Sequence, residues 1–218
     1  MDVFPICLIN LHEKMCVVVG GGVVAERKVN TLLERRARVV VISPTLTADL
    51  RRKVAAGEIT HVERAYRHGD LEGVFLCIVA AGNRQVAAAV WQEGNECGVL
   101  VNAVDEAAHS HFIMPATVRQ GDLTMAISTG GQSPALATRI KEQLAALFGP
   151  EYGALLQILG ALRPRAIQEL PSKQRADFFY AVVDDAAIMR LLRRGSYEQA
   201  LAHAEQVLDH YRGQKVST

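Results

Sequence analysis

Four nearly continuous apolar runs, at residues 16–19, 39–42, 74–80 and 98–104, divide the first half of the chain. Between them, residues 24–36 and 84–96 carry apolar side chains at helical spacing. Short β-branched runs without polar alternation predict strands covered on both faces, and their alternation with helices predicts the βαβ rhythm of a parallel sheet. Residues 59–66 add a shorter, more polar strand. Beyond about residue 110 the rhythm changes: 111–118 and 123–128 flank Arg119-Gln120-Gly121-Asp122, a turn-rich tetrapeptide suited to a hairpin. Ser133 and Pro134 form an N-cap and N1 pair that opens a helix over 135–148, and Gly149-Pro150 ends it. Residues 151–212 are mostly helical by spacing, with interruptions near Pro164, Pro171 and Gly195, and 213–218 are expected to fray. The predicted fold is α/β: a Rossmann-type parallel sheet over 1–113, a small α+β segment over 114–149, and a helical domain over 150–218.

The passage from the first strand into the first helix carries the clearest chemical signal. It reads C-V-V-V-G-G-G-V-V-A-E-R-K, and Gly20, Gly22 and Ala25 fit the G-x-G-x-x-G/A spacing of a dinucleotide site. The first glycine allows the tight turn, the second lets backbone approach a pyrophosphate, and the third small residue lets helix pack on strand. A glycine-rich turn without a ligand is the plain alternative. The acidic residue that normally grips the adenosine ribose is missing at the end of the second strand, where Ser43-Pro44-Thr45 stands. Ser43 or Thr45 can replace it weakly, and Arg51-Arg52 lies too far along to claim a 2′-phosphate, so the choice between NAD and NADP stays open on these residues.

Three further places can carry chemistry. Ala80, Ala81 and Asn83 follow the strand at 74–80, at the edge where open α/β sheets bind ligands; an ordinary strand-to-helix loop reads the same. Asp105, closing Asn102-Ala103-Val104-Asp105, sits at the same edge, either as a base facing a bound nicotinamide or as a solvated loop aspartate or cap. His109 and His111 invite a metal reading that no further Cys, His or Asp spacing completes, so no metal site is expected. Arg27, Lys28, Arg119, Arg139, Lys141, Arg163 and Arg165 can pair with substrate carboxylates or simply face solvent.

Composition narrows the partners. With 24 basic and 23 acidic residues and a net charge of +1, the chain has no global field to recruit nucleic acid or a membrane surface, so an anionic substrate needs a local cluster. Cys7, Cys16, Cys77 and Cys97 form no C-x-x-C pair, and Cys16 and Cys77 lie inside apolar runs as small hydrophobes. No export signal or membrane-length apolar run is visible, so a soluble cytoplasmic protein is expected.

Three segments, in order, resemble one family. They are Gly20-Gly21-Gly22-Val23-Val24-Ala25-Glu26-Arg27-Lys28, then Asn102-Ala103-Val104-Asp105 followed by His111-Phe112-Ile113-Met114-Pro115, then Ser128-Thr129-Gly130-Gly131-Gln132-Ser133-Pro134. They are similar to the amino-terminal type of sirohaem synthase, which includes precorrin-2 dehydrogenases and bifunctional precorrin-2 dehydrogenase/sirohydrochlorin ferrochelatases. The resemblance covers the first 150 residues by motif and the helical tail by length and character. It implies a homodimer that oxidises precorrin-2, a polycarboxylate tetrapyrrole, to sirohydrochlorin with NAD, and makes 114–149 the dimerisation and active-site segment. Asp105 is implied as the catalytic aspartate. Gly20, Gly21, Gly22, Val23, Val24, Pro44 and Thr45 are implied at the cofactor, with Ser43, Ala80, Ala81 and Asn83 beside them. Arg119, Ser128, Thr129, Ser133 and Arg139 are candidates for the substrate. Val23 stands where relatives often carry an acidic or polar residue, and Thr129 where some have a second serine. The separate methyltransferase domain of some relatives is not seen in these 218 residues. Two other readings stay in view: a bifunctional enzyme that also takes ferrous iron as a substrate, and a non-catalytic NAD-sensing module.

Overall fold

The computed structural model describes residues 3–213; five of the six positions expected to fray, 214–218, lie outside the described residues. Two compact units divide the chain at Met114 and Pro115.

The first unit is an open, fully parallel five-stranded sheet in the order β3-β2-β1-β4-β5, formed by β1 (Met15–Val19), β2 (Arg38–Ile42), β3 (Thr60–Val62), β4 (Leu76–Val79) and β5 (Leu100–Ala103). Helices α1 (Val23–Leu33), α2 (Ala48–Ala55) and α3 (Arg84–Cys97) connect them. The continuous apolar runs are explained by burial on both faces: Cys16, Val18, Val39 and Val41 pack under α1, while Val17, Val19, Cys77, Val79 and Val101 pack against Ala87 and Val90 of α3. Burial pushes the Cys16 thiol up to about 11 and the Cys77 thiol higher still, so both act as small apolar groups. The more polar strand shrinks to Thr60–Val62 because it forms the outer edge beside β2.

Among the described residues of this unit, one ionisable acid is buried. Glu93 of α3 is 1 % exposed, accepts the Leu71 N–H at 2.7 Å and the Tyr66 hydroxyl, and has His68 Nδ1 at 3.5 Å. It anchors the helix-free connection between β3 and β4, satisfying its own charge by doing so.

The second unit begins with a two-stranded antiparallel hairpin, β6 (Ala116–Gln120) and β7 (Leu123–Ile127), paired from Ala116–Ile127 to Gln120–Leu123. The turn is therefore Gly121-Asp122, with Gly121 at φ +59°, and Arg119 and Gln120 belong to the strand. Helix α4 (Pro134–Leu147) follows, then α5 (Pro150–Glu169), α6 (Ser172–Val183), α7 (Ala186–Arg193) and α8 (Tyr197–Gly213). Leu155, Ile158, Leu162 and Ala166 of α5 meet Phe178, Val182, Ile188, Ala200, Ala204 and Leu208 in one core. The expected break at Pro164 does not occur: α5 runs through it. Proline in a helix interior costs about 3 kcal/mol, and the apolar stripe buried on both sides of Pro164 outweighs that. Breaks do fall at Pro171 and Gly195. Asp185 caps α7 through the Ala187 and Ile188 N–H groups and meets His203 Nε2 of α8 at 3.0 Å. Gly153 of α5 lies so close to the Gln120 carbonyl that a Cβ there would overlap it, which ties the hairpin to the helices. Among the described residues no single helix is long and apolar enough to cross a membrane.

Candidate active site

In a parallel sheet every strand ends at one edge, so the loops after β1, β2, β4 and β5 come together there. Strand order reverses at β1, with β2 on one side and β4 on the other, and the crevice beyond such a switch point is where open α/β sheets take ligands. The three glycines line it, each for a different reason. Gly20 has φ +121°, and a Cβ on it would stand 2.6 Å from the Ala80 carbonyl oxygen at the end of β4. Gly21 packs against the loop after β2: a Cβ would overlap the Thr45 carbonyl and lie 2.8 Å from Ser43 Oγ, while its own carbonyl accepts Thr47 N–H at 2.9 Å. A Cβ on Gly22 would meet nothing within 4 Å, at an ordinary φ of −85°. No neighbouring protein atom requires glycine at that position, and the space it leaves opens onto the crevice.

Gly22 is also the N-cap of α1 and offers no side-chain cap, so the first-turn N–H groups stay available to an anion. Val23 is 67 % exposed beside them, and Ala25 is fully buried against the sheet. The loops are locked together by Thr47, whose hydroxyl donates to Glu26 Oε2 of α1 at 2.6 Å and accepts the Leu50 N–H at 3.2 Å, a junction not evident in the sequence. The Gly21 packing leads to a prediction. Gly21→Ala must push the β2–α2 loop away at Thr45 and should lower stability by about 1–3 kcal/mol, the usual cost of overpacking. Urea unfolding of the variant beside the parent measures this, and an unchanged midpoint would contradict it.

The other candidate residues divide by what their polar atoms already do. Ser43 is 6 % exposed and donates to the Thr45 carbonyl at 2.8 Å, so its hydroxyl shapes the loop, leaving Pro44 and Thr45 as the exposed tip. Asn83 caps α3 by accepting the Gln85 and Val86 N–H groups at 2.9 and 3.3 Å, while Ala80 and Ala81 border the crevice. In the second unit Ser133 caps α4, accepting Leu136 N–H at 3.2 Å. Thr129 Oγ1 donates to the Ser133 carbonyl at 3.1 Å, and Ser128 Oγ accepts Gly130 N–H at 3.2 Å. These three hydroxyls build their own loop, with Gly130 and Gly131 at φ +59° and +78°. Arg119 is exposed on β6, and Arg139 meets Glu142 on the exposed face of α4 at 3.3 Å.

Asp105 is exposed immediately beyond β5, and the strand edge below it is held by side chains. β5 ends the sheet, so half its backbone groups lack a neighbouring strand. His111 Nδ1 accepts the Val101 N–H at 3.1 Å, His111 N–H donates to the Val101 carbonyl at 2.7 Å, and Ser110 Oγ accepts the Ala103 N–H at 2.9 Å. Asn102 donates to the Phe112 carbonyl at 2.9 Å. With Nδ1 accepting, His111 Nε2 donates to Asn95 Oδ1 at 3.0 Å, and the ring stacks on Trp91. The H-x-H pair is thus an edge seal on its His111 side, and the loop carrying Asp105 is fixed at both ends. His109 stands edge-on to Trp91, with Nδ1 3.9 Å from Glu106 Oε2.

A glycine-lined crevice at the switch point of a parallel sheet, opening onto an uncapped helix N-terminus, defines a Rossmann-type dinucleotide-binding protein. Residues 7–116 match the family described as putative NAD(P)-binding, 120–147 the sirohaem biosynthesis protein central region, and 151–208 the sirohaem synthase dimerisation region. The chain belongs to the sirohaem synthase family. It is 34% identical over 216 residues to siroheme synthase 1 of Aeromonas salmonicida, covering 99% of this chain and 46% of that one. It is 33% identical over 209 residues to siroheme synthase of Photorhabdus laumondii, covering 96% and 44%. The chain thus spans less than half the length of these curated relatives. Among solved structures, SirC, a precorrin-2 dehydrogenase, superposes with a TM-score of 0.75 at 26% identity, covering 93% of this chain and 100% of that one.

Proposed function

We propose that this chain is an NAD-dependent precorrin-2 dehydrogenase of sirohaem biosynthesis, acting in the cytoplasm as a homodimer. The observation that carries the reading is Asp105 fixed at the same sheet edge as the open Gly22 crevice, in a chain similar over its whole fold to a precorrin-2 dehydrogenase. Precorrin-2 and NAD+ give sirohydrochlorin, NADH and a proton. Bound NAD supplies the hydride acceptor. Gly22 and the α1 N-terminus hold the pyrophosphate, and Asp105, the carboxylate just beyond β5, takes the proton that leaves with the hydride. The preference for NAD over NADP is supported by the second loop. Arg51 Nη1 donates to the Leu46 carbonyl at 2.8 Å and Arg52 Nη2 to Asp49 at 2.6 Å, so neither guanidinium is directed to a 2′-phosphate. The match of 151–208 to a dimerisation region supports the homodimer.

The test is anaerobic incubation of the purified chain with precorrin-2 and NAD, followed by ferrous or cobaltous ion. Sirohydrochlorin absorbance and NADH should rise together in the first stage, and no NADH would overturn the reading. The second stage treats the metal as a substrate: insertion above the uncatalysed rate adds the ferrochelatase step.

A further inference from the structure

Lys28 stands out among the charged residues around the sheet edge. It lies in the second turn of α1, is half-buried, and its ammonium makes one hydrogen bond among the described residues, to Met114 Sδ at 3.3 Å. A thioether is a weak acceptor, and an ammonium carries three N–H donors, so most of this donor capacity is unspent in a place where water is partly excluded. No carboxylate lies within ion-pair reach of it among the described residues, yet Asp105 provides the attractive field at the site and Arg27 a repulsive one. Burial and Arg27 hold the Lys28 pKa below the usual lysine range, with Asp105 opposing them. The residues that create this setting come from segments 86 positions apart, α1 and the irregular stretch that runs on from the Asp105 loop to Met114. Phe112 and Met114 are seated on the α1 side of the core, which brings that segment over Lys28.

An under-coordinated, partly desolvated cation on the helix that opens at Gly22 calls for an anionic partner brought by a ligand. We infer that Lys28 is a substrate anchor, its ammonium receiving a rim carboxylate of the polycarboxylate tetrapyrrole and setting the ring against Asp105. This rests on the dehydrogenase reading. Met114 then acts as a placeholder that keeps the ammonium extended without neutralising it, as a carboxylate there would.

The test compares Lys28→Gln and Lys28→Arg with the parent. A charge-assisted hydrogen bond is worth about tenfold to 100-fold in affinity, so Lys28→Gln should raise KM for precorrin-2 by about that factor, with the loss falling on KM rather than kcat. Lys28→Arg should recover most of it, and NAD titration should be unmoved in both. Unchanged KM in a folded Lys28→Gln, or a loss confined to NAD affinity, would overturn the inference. A second measurement separates this from the reading beneath it: fluorescence quenching by a polycarboxylic porphyrin and by its full methyl ester. If the parent chain makes no NADH the dehydrogenase reading fails. Lys28 is still tested, because the preference for the free acid over the ester must shrink by about tenfold or more in Lys28→Gln, and an unchanged preference overturns the inference.

Discussion

Gly22→Val should abolish NAD binding in a protein that remains folded. The position has an extended conformation that valine adopts, and a Cβ there touches no protein atom, so the substitution removes only the modest preference for glycine at an N-cap, about 1 kcal/mol or less. What it fills is the space through which a pyrophosphate reaches the α1 N–H groups. Losing two or more charge-assisted hydrogen bonds should weaken NAD by about 100-fold or more. Calorimetric titration of NAD, read beside a thermal melt, separates this from Gly21→Ala, where the melt should move. Normal affinity in Gly22→Val would remove the pyrophosphate from this turn.

Asp105→Asn should lower kcat by about 10² to 10⁴, the range associated with losing a general base. Asparagine keeps the shape, and the loop is held by Ser110, His111 and Asn102 rather than by the Asp105 carboxylate, so NAD affinity and stability should stay at the parent values. Single-turnover measurement at saturating NAD and precorrin-2 isolates the chemical step. Unchanged turnover would exclude Asp105 as the base.

The parallel sheet was legible because strands buried on both faces must be apolar at every position, and 16–19 and 39–42 show that without alternation. The dinucleotide turn was legible because G-x-G-x-x-A serves a local geometric need. The roles inside it were less so. The G-x-G-x-x-A pattern singles out Gly20 and Gly22, yet the strictest steric demand falls on Gly21, set by a loop more than twenty residues away that no local pattern encodes. The role of His111 was not legible because its partner, the open backbone of β5, exists only once the sheet is assembled. Ser43, Asn83 and Ser133 carry polar atoms suited to ligands, and in the fold those atoms close loops and cap helices. Pro164 signals a break by its own chemistry and is overruled by the apolar stripe on either side of it. Lys28 reads as one more helix-face charge until Met114 is seen folded over it.

The most direct measurement is the stoichiometry of the first turnover. With oxygen excluded, the parent protein, precorrin-2 and NAD should yield one NADH for each sirohydrochlorin formed, and Gly22→Val should yield neither. Sirohydrochlorin appearing without NADH, or no conversion by the parent, would contradict NAD-dependent dehydrogenation at this site.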